Sequence, residues 1–250
     1  MSEHVLTIFA HPDDAETAAG GSLLRLAAAG ARITLCVVTD GDKGTADDRD
    51  SAAAVIARRR EEQRRAAARL GAELIYLGFE DGLVQPTLEL RRALVRVIRQ
   101  VRPQLIITHD PTVWFRHNAY INHPDHRAVG QAALEAIYPA VKKPRTFPEL
   151  FEKEGLKPHV VREIWLGPTD HPNHWVDISA QLEEKLELIC EHASQFPREP
   201  ARAAFTRLAR EAGEPAGLAA AESFRRLYQV RQTVHALADP LGAGSAGASE

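Results

Sequence analysis

Short apolar runs alternate with longer amphipathic stretches through the first half of the chain. Val5 to Phe9 reads as a strand, and Leu23 to Ala29 belongs to a helix that Gly30 can stop. Arg32 to Thr39, rich in Ile, Leu and Val, predicts a second strand. Ser51 to Leu70 is a long Ala/Arg/Glu helix closed by Gly71. Glu73 to Leu77 predicts a third strand, Thr87 to Val101 a helix ended by Arg102-Pro103, and Gln104 to His109 a fourth strand. Strands separated by helices imply parallel pairing through right-handed crossovers, so the expected fold is α/β: a Rossmann-like, doubly wound, mostly parallel sheet flanked by helices. After Pro139 the pattern loosens into a less regular α+β portion. Val160 to Leu166 and Trp175 to Ile178 look like strands, whereas Leu182 to Cys190, Glu199 to Arg210 and Glu222 to Tyr228 look helical. Residues 241–250 are small, polar and Gly/Ala/Ser-rich, which predicts one domain over 1–240 and a disordered tail.

The predicted sheet gives the polar residues a common place. Ligands of open parallel sheets sit beyond the carboxyl ends of the strands. His11, Asp13 and Asp14 follow the first strand, Thr39-Asp40-Gly41-Asp42 the second, and His109-Asp110 the fourth, with His123-Pro124-Asp125-His126 in the segment beyond. A histidine and two carboxylates behind a buried strand are costly to desolvate unless a cation compensates them. His11 and Asp14 stand three positions apart with Pro12 between, a spacing that projects both side chains to one side of a helical turn. His123 and His126 repeat it, and Arg127 to Tyr138 continues as an amphipathic helix. One His and one carboxylate from the first turn, with one His from the second, would make a three-ligand site. Such a set suits Zn²⁺ with an open fourth position, and equally Fe²⁺. Asp13, pointing away from Asp14, is a candidate general base. His123 is a candidate acid or oxyanion donor, and Asp125 a candidate for orienting its imidazole.

Composition narrows the partners. The 250 residues are enough for one sizeable core, and 44% hydrophobic with 26% charged is ordinary for a globular protein. A formal net charge of −3 gives no general case for nucleic acid or a membrane surface, and no apolar run reaches spanning length. Cys36 and Cys190 predict two buried thiols and a reducing cytoplasm. No Cys-x-x-Cys pair exists for a thiolate zinc site. No Gly-x-Gly-x-x-Gly follows the first strand, and the Asp13-Asp14 pair would repel a pyrophosphate, which argues against a nucleotide-binding module. A non-catalytic metal-binding protein is the other rival. His171-Pro172-Asn173-His174 lacks a paired carboxylate and reads as a polar loop. Trp114 to Asn118 offers an aromatic wall or, at Trp114, a core anchor. A homo-oligomer is compatible with all of this.

Ala10-His11-Pro12-Asp13-Asp14-Ala15-Glu16 with Gly20-Gly21, and then His123-Pro124-Asp125-His126, resemble the paired signatures of the PIG-L/LmbE-like family of metal-dependent N-deacetylases. Thr39-Asp40-Gly41, Arg59-x-x-Glu62, Val176-Asp177-Ile178 and His192-Ala193-Ser194-Gln195 extend the likeness. The resemblance implies His11, Asp14 and His126 as zinc ligands and Asp13 as general base. It implies His123 as oxyanion or leaving-amine partner, with Asp125 supporting it. Arg59 matches a basic residue that helps bind sugar, though it also belongs to the basic face Arg58-Arg59-Arg60. The implied reaction is hydrolysis of an N-acetyl group on an N-acetylglucosamine-type sugar or conjugate, with amide cleavage of a larger thiol-sugar conjugate as the rival. The mycothiol-pathway branch carries a mobile Tyr two positions before its second signature. Here that position is Ile121, with Tyr120 beside it.

Overall fold

The structure is a computed structural model that describes residues 3–45, 47, 49–116 and 120–229. The predicted tail, and His117 and Asn118 of the suggested wall, lie outside the described residues.

Seven strands form one sheet. In chain order they are β1 (His4–Phe9), β2 (Arg32–Thr39), β3 (Glu73–Phe79), β4 (Leu105–Thr108), β7 (Glu163–Leu166), β8 (His174–Asp177) and β9 (Ala221–Tyr228). The short strands β5 (Phe115–Arg116) and β6 (Tyr120–Ile121) pair separately. The spatial order is β3-β2-β1-β4-β7-β9-β8. Contacts from β3 through β7 are parallel, and β9 runs antiparallel to both β7 and β8. The chain therefore winds one way from β1 to β3 and the other way from β4, leaving a switch point between the carboxyl ends of β1 and β4.

Helices α1 (Asp14–Ala28), α2 (Ala52–Leu70), α3 (Leu88–Val101), α4 (Pro124–Ile137), α5 (Pro148–Glu152), α6 (Leu182–Cys190) and α7 (Arg198–Gly213) complete the fold. Strand β1 shows how the sheet separates two cores. Leu6 and Ile8 face α3 and α4 with Leu94, Ile98, Val129 and Ala133, while Val5 and Phe9 face the opposite layer with Leu23, Leu35, Leu188 and Phe224. All of these are essentially fully buried, and each large aliphatic side chain contributes about 1.5–3 kcal/mol of transfer free energy. Ser51 and Thr87 accept the Ala54 and Leu90 amides and so fix where α2 and α3 begin. None of the helices among the described residues is long and apolar enough to cross a membrane.

Two expectations need correction. Residues 222–228 form strand β9, not a helix. Glu222, Arg225, Arg226 and Leu227 are good helix formers, but pairing with a neighbour on each side and burial of Phe224 outweigh that preference. Of the two thiols only Cys36 is fully buried; Cys190, at the end of α6, is partly exposed.

Candidate active site

The two His-Pro-Asp segments meet at the switch point, but they are not geometric copies. In the second, Pro124 takes the first position of α4 and His123 caps it, its Nδ1 accepting the Asp125 amide at 3.2 Å. In the first, α1 starts only at Asp14. Asp13, the preceding residue, adopts a left-handed conformation (φ 116°, ψ −26°) that non-glycine residues avoid. That kink separates the two neighbouring carboxylates. Asp14 turns back to accept the His11 amide at 2.7 Å, while Asp13 turns toward α2.

His11, Asp14 and His126 converge. His11 Nδ1 lies 3.2 Å from Asp14 Oδ2 and 3.2 Å from His126 Nε2, and His126 Nε2 lies 3.2 Å from Asp14 Oδ1. The outer atoms of the rings show which electrons face inward. His11 Nε2 is 3.1 Å from Asp81 Oδ1 and 3.4 Å from Asp125 Oδ2. Both are carboxylates and only accept, so His11 donates from Nε2 and turns Nδ1 toward Asp14 and His126. His126 Nδ1 sits 3.1 Å from Asn122 Oδ1, which leaves the Nε2 lone pair inward. Two imidazole nitrogens and a carboxylate aimed at one point need a shared positive charge, either a proton or a metal ion. The electrostatics of the surroundings agree. Burial opposes a charged His11, but Asp14, Asp125 and Asp81 outweigh it and push its pKa up to about 12. Burial would also raise the Asp14 pKa, yet His126, His109 and His11 hold it well below the usual carboxylate range. His109 stacks on His126 with ring centroids 4.1 Å apart and accepts the Ala10 amide at 3.1 Å. Burial and the neighbouring His126 keep it neutral, its pKa lowered to about 3.

Asp13 stands beside this cluster. Arg59 Nη2 donates to Asp13 Oδ2 at 2.9 Å and to the Pro12 carbonyl at 2.7 Å, and Nη1 donates to the Gly41 carbonyl at 2.9 Å. Gly41 has φ +66°, which turns that carbonyl toward Arg59. Burial and then Asp14 raise the Asp13 carboxyl to about 7, against the opposing charges of Arg59, His192 and His11. Its backbone amide donates to Gln63 Oε1 at 3.1 Å, and Gln63 Nε2 in turn donates to Glu16 Oε1 at 2.6 Å. Glu16 and His192 are both fully buried, with His192 Nε2 3.4 Å from Glu16 Oε2. Glu16, which the sequence leaves without a role, therefore sets the Gln63 amide that holds the Asp13 backbone.

The remaining expected residues fall as follows. His123 is half-buried, its ring 4.7 Å from that of His11, and burial followed by His11 and His126 lowers its pKa. Because Nδ1 accepts a backbone amide, the neutral ring carries its proton on Nε2. Asp125 does not support His123 through its side chain. Its carboxylate accepts the Gly82 amide at 2.7 Å and the Val84 amide at 3.2 Å and faces His11; only its backbone amide touches His123. Arg59 is neither on a solvated basic face nor free for a ligand. It is 4% exposed and committed to Asp13 and two carbonyls, as a buried guanidinium must be. Asp40 pairs with Arg60 at 2.7 Å. His171 and His174 belong to none of the potential ligand groups found among the described residues, which are His11/His123/His126, Asp14/His109/His126 and His11/Asp81/Asp125. Trp114 is exposed and lies under the Arg127 guanidinium at 3.9 Å, so it is not a core anchor. Asp81, Gln63 and Asn122 were missed. Asp81 follows β3 at the same sheet edge that singled out the others, and Asn122 adjoins the second signature.

A doubly wound sheet with a cation-demanding His/Asp cluster and an adjoining carboxylate of raised pKa at its switch point defines a metal-dependent hydrolase type of site. Comparison gives the family. The model of the PIG-L family, described as GlcNAc-PI de-N-acetylase, matches residues 6–137, and the chain belongs to that family. Diacetylchitobiose deacetylase of Thermococcus kodakarensis is 37% identical over 196 residues, 78% of this chain and 71% of that protein. A probable N-acetyl-α-D-glucosaminyl L-malate deacetylase of Bacillus anthracis is 30% identical over 205 residues, 77% of this chain and 81% of that protein. The structure of N,N'-diacetylchitobiose deacetylase from Pyrococcus horikoshii with its inhibitor MPG superposes with a TM-score of 0.84 at 31% identity, covering 91% of this chain and 84% of that one.

Proposed function

We propose that the protein is a zinc-dependent N-deacetylase that hydrolyses the acetamide of an N-acetylglucosamine-type sugar or conjugate, with His11, Asp14 and His126 as the metal ligands. The observation that carries the reading is their convergence: His11 Nδ1 and His126 Nε2 lie 3.2 Å apart, and each lies 3.2 Å from one of the two Asp14 carboxylate oxygens. A tetrahedral zinc with ligands at about 2.0–2.2 Å needs donor separations of roughly 3.3–3.6 Å, so these residues fit with little movement. Fe²⁺ accepts the same donor types. The substrate class follows from the relatives named as deacetylases of diacetylchitobiose and of an N-acetylglucosaminyl malate.

When bound, the metal polarises the amide carbonyl and acidifies water. The chain supplies the proton transfers. Asp13, ionised and held by Arg59, takes a proton from the attacking water as the new C–O bond forms. His123 donates from Nε2 to the carbonyl oxygen as it becomes an oxyanion. Asp13 then returns the proton to the departing nitrogen, the C–N bond breaks, and acetate and a free amine leave. Asp81 and Asp125 hold His11 in the tautomer that faces the metal.

The test is acetate and amine release from a panel of N-acetylglucosamine, diacetylchitobiose and bulky thiol-sugar amides, with zinc-loaded and chelator-treated protein. Turnover of the acetamido sugars that disappears on chelation is expected. Turnover only of the bulky amides, or turnover indifferent to metal, contradicts the assignment.

A further inference from the structure

The catalytic cluster does not sit in a pocket sized for an acetyl group. Asp13, Asp14, His109 and His126 line a cleft of about 480 Å³ together with residues of α7 and the start of β9. Its lining from α7 and the turn before it is apolar, made of Phe196, Phe205, Leu208, Ala209 and Ala212, and Ala18 of α1 adds to it. Phe205, Leu208, Ala209 and Ala212 recur at helical spacing along one face of α7, a stretch of about 10 Å.

Most of the polar side chains along the cleft are already engaged internally. Asp110 accepts from Thr112 through Oδ1 at 2.9 and 2.6 Å and from Thr169 through Oδ2 at 2.6 Å. Glu222 accepts the Gly21 and Ser22 amides at 2.9 and 2.7 Å, and Lys185 closes a buried ion pair with it at 2.5 Å. Asn122 spends its amide on Val113 and its oxygen on His126. A second sugar ring lying here would find few replacements for the hydration its hydroxyls lose, whereas an alkyl group would lose nothing.

The two flanks of the site differ accordingly. Asp40, Asp42, Lys43, Glu80 and Asp81 belong to the β2–β3 side of the switch point, whereas the apolar cleft belongs to the β7–β9 side. An amide seated at the cluster directs its nitrogen and its acyl carbon to opposite sides. We propose that the cleft receives the acyl side of the substrate, so that the enzyme removes linear N-acyl groups longer than acetyl, with the sugar on the polar flank. This rests on the amidohydrolase reading above and extends it to the acyl group.

The experiment measures calorimetric binding of the carboxylate products acetate, butyrate, hexanoate and octanoate to the full-length, zinc-loaded protein. Hydrolysis of the matching N-acyl glucosamines is followed in parallel. Affinity is expected to rise about fourfold per added methylene, and Leu208→Asp and Ala212→Trp to flatten that dependence. Affinity that does not rise with chain length overturns the proposal, as does a rise that both variants leave intact. A chain-length dependence found for alkyl glycosides of N-acetylglucosamine instead of the acids, and lost in the variants, also overturns it by assigning the cleft to the aglycone. Because product binding needs no turnover, a protein that shows the dependence yet hydrolyses no N-acyl glucosamine supports the cleft assignment while refuting the reaction.

Discussion

Asp13 is held in a conformation that costs roughly 1–3 kcal/mol, and the surrounding side chains show what opposes that cost. Gln63 accepts its amide, and Arg59 ties its carboxylate and the preceding carbonyl to α2. Gln63→Leu removes the acceptor and leaves both the Asp13 amide and the buried Glu16 carboxylate short of a partner. A loss of about 1–3 kcal/mol divided between stability and alignment should appear as a kcat reduced by roughly tenfold or more, with KM and bound metal near their original values. Lost metal with an unchanged kcat per bound ion would show that Gln63 serves the ligands instead. The pH dependence follows from the same residues. The base proposed at Asp13 must be ionised, so activity should rise with pH through the Asp13 pKa. Burial and Asp14 raise that pKa to about 7 while Arg59 opposes them, and a bound cation opposes them further. Arg59→Gln therefore moves the acid limb of kcat/KM to higher pH, by about one unit or more. A limb that stays in place, or moves to lower pH, refutes the role of Arg59 as the charge that keeps Asp13 ionised.

At the scale of elements, the cluster depends on how closely α4 approaches the end of β4. A Cβ on Gly130 would meet the His109 carbonyl at 2.6 Å and Pro111 Cδ at 3.1 Å, both on the chain segment that places His109 beneath His126. Gly130→Ala should move α4 outward, cost about 1–3 kcal/mol of stability and weaken metal binding through His126; an unchanged melting temperature and metal affinity would show that α4 is free to slide. What was legible from the sequence divides along the same lines. Strands β1, β2 and β4 and helices α2 and α3 follow from apolar periodicity and local stop signals, because buried parallel strands and capped helices write themselves in a few adjacent residues. Strand β9 does not, since its conformation is decided by β7 and β8, which lie far away in sequence. The site divides similarly. Spacing and strand ends brought forward His11, Asp14, His123 and His126 as candidates, with the choice of His126 as ligand implied by the family resemblance alone, whereas Arg59 and Asp125 took roles set by distant backbone groups at Pro12, Gly41, Gly82 and Val84.

Across the whole molecule, the proposed ligands join the β1–α1 junction to the head of α4, residues more than a hundred positions apart. Metal binding therefore closes a long-range contact and should stabilise the fold. A free ion at a hundred times its dissociation constant adds about 2.7 kcal/mol, so chelation should lower the melting temperature by roughly 5–10 °C. An unchanged melting temperature after verified metal loss would contradict that coupling. The most direct test of the account measures metal stoichiometry and amine release together, in the parent protein, in Asp13→Asn and in His126→Ala. One bound zinc with turnover is expected in the parent. Asp13→Asn is expected to keep bound zinc with turnover reduced about 10²–10⁴-fold, and His126→Ala to lose both metal and turnover. Full turnover in Asp13→Asn, or undiminished metal binding in His126→Ala, would contradict the assignment.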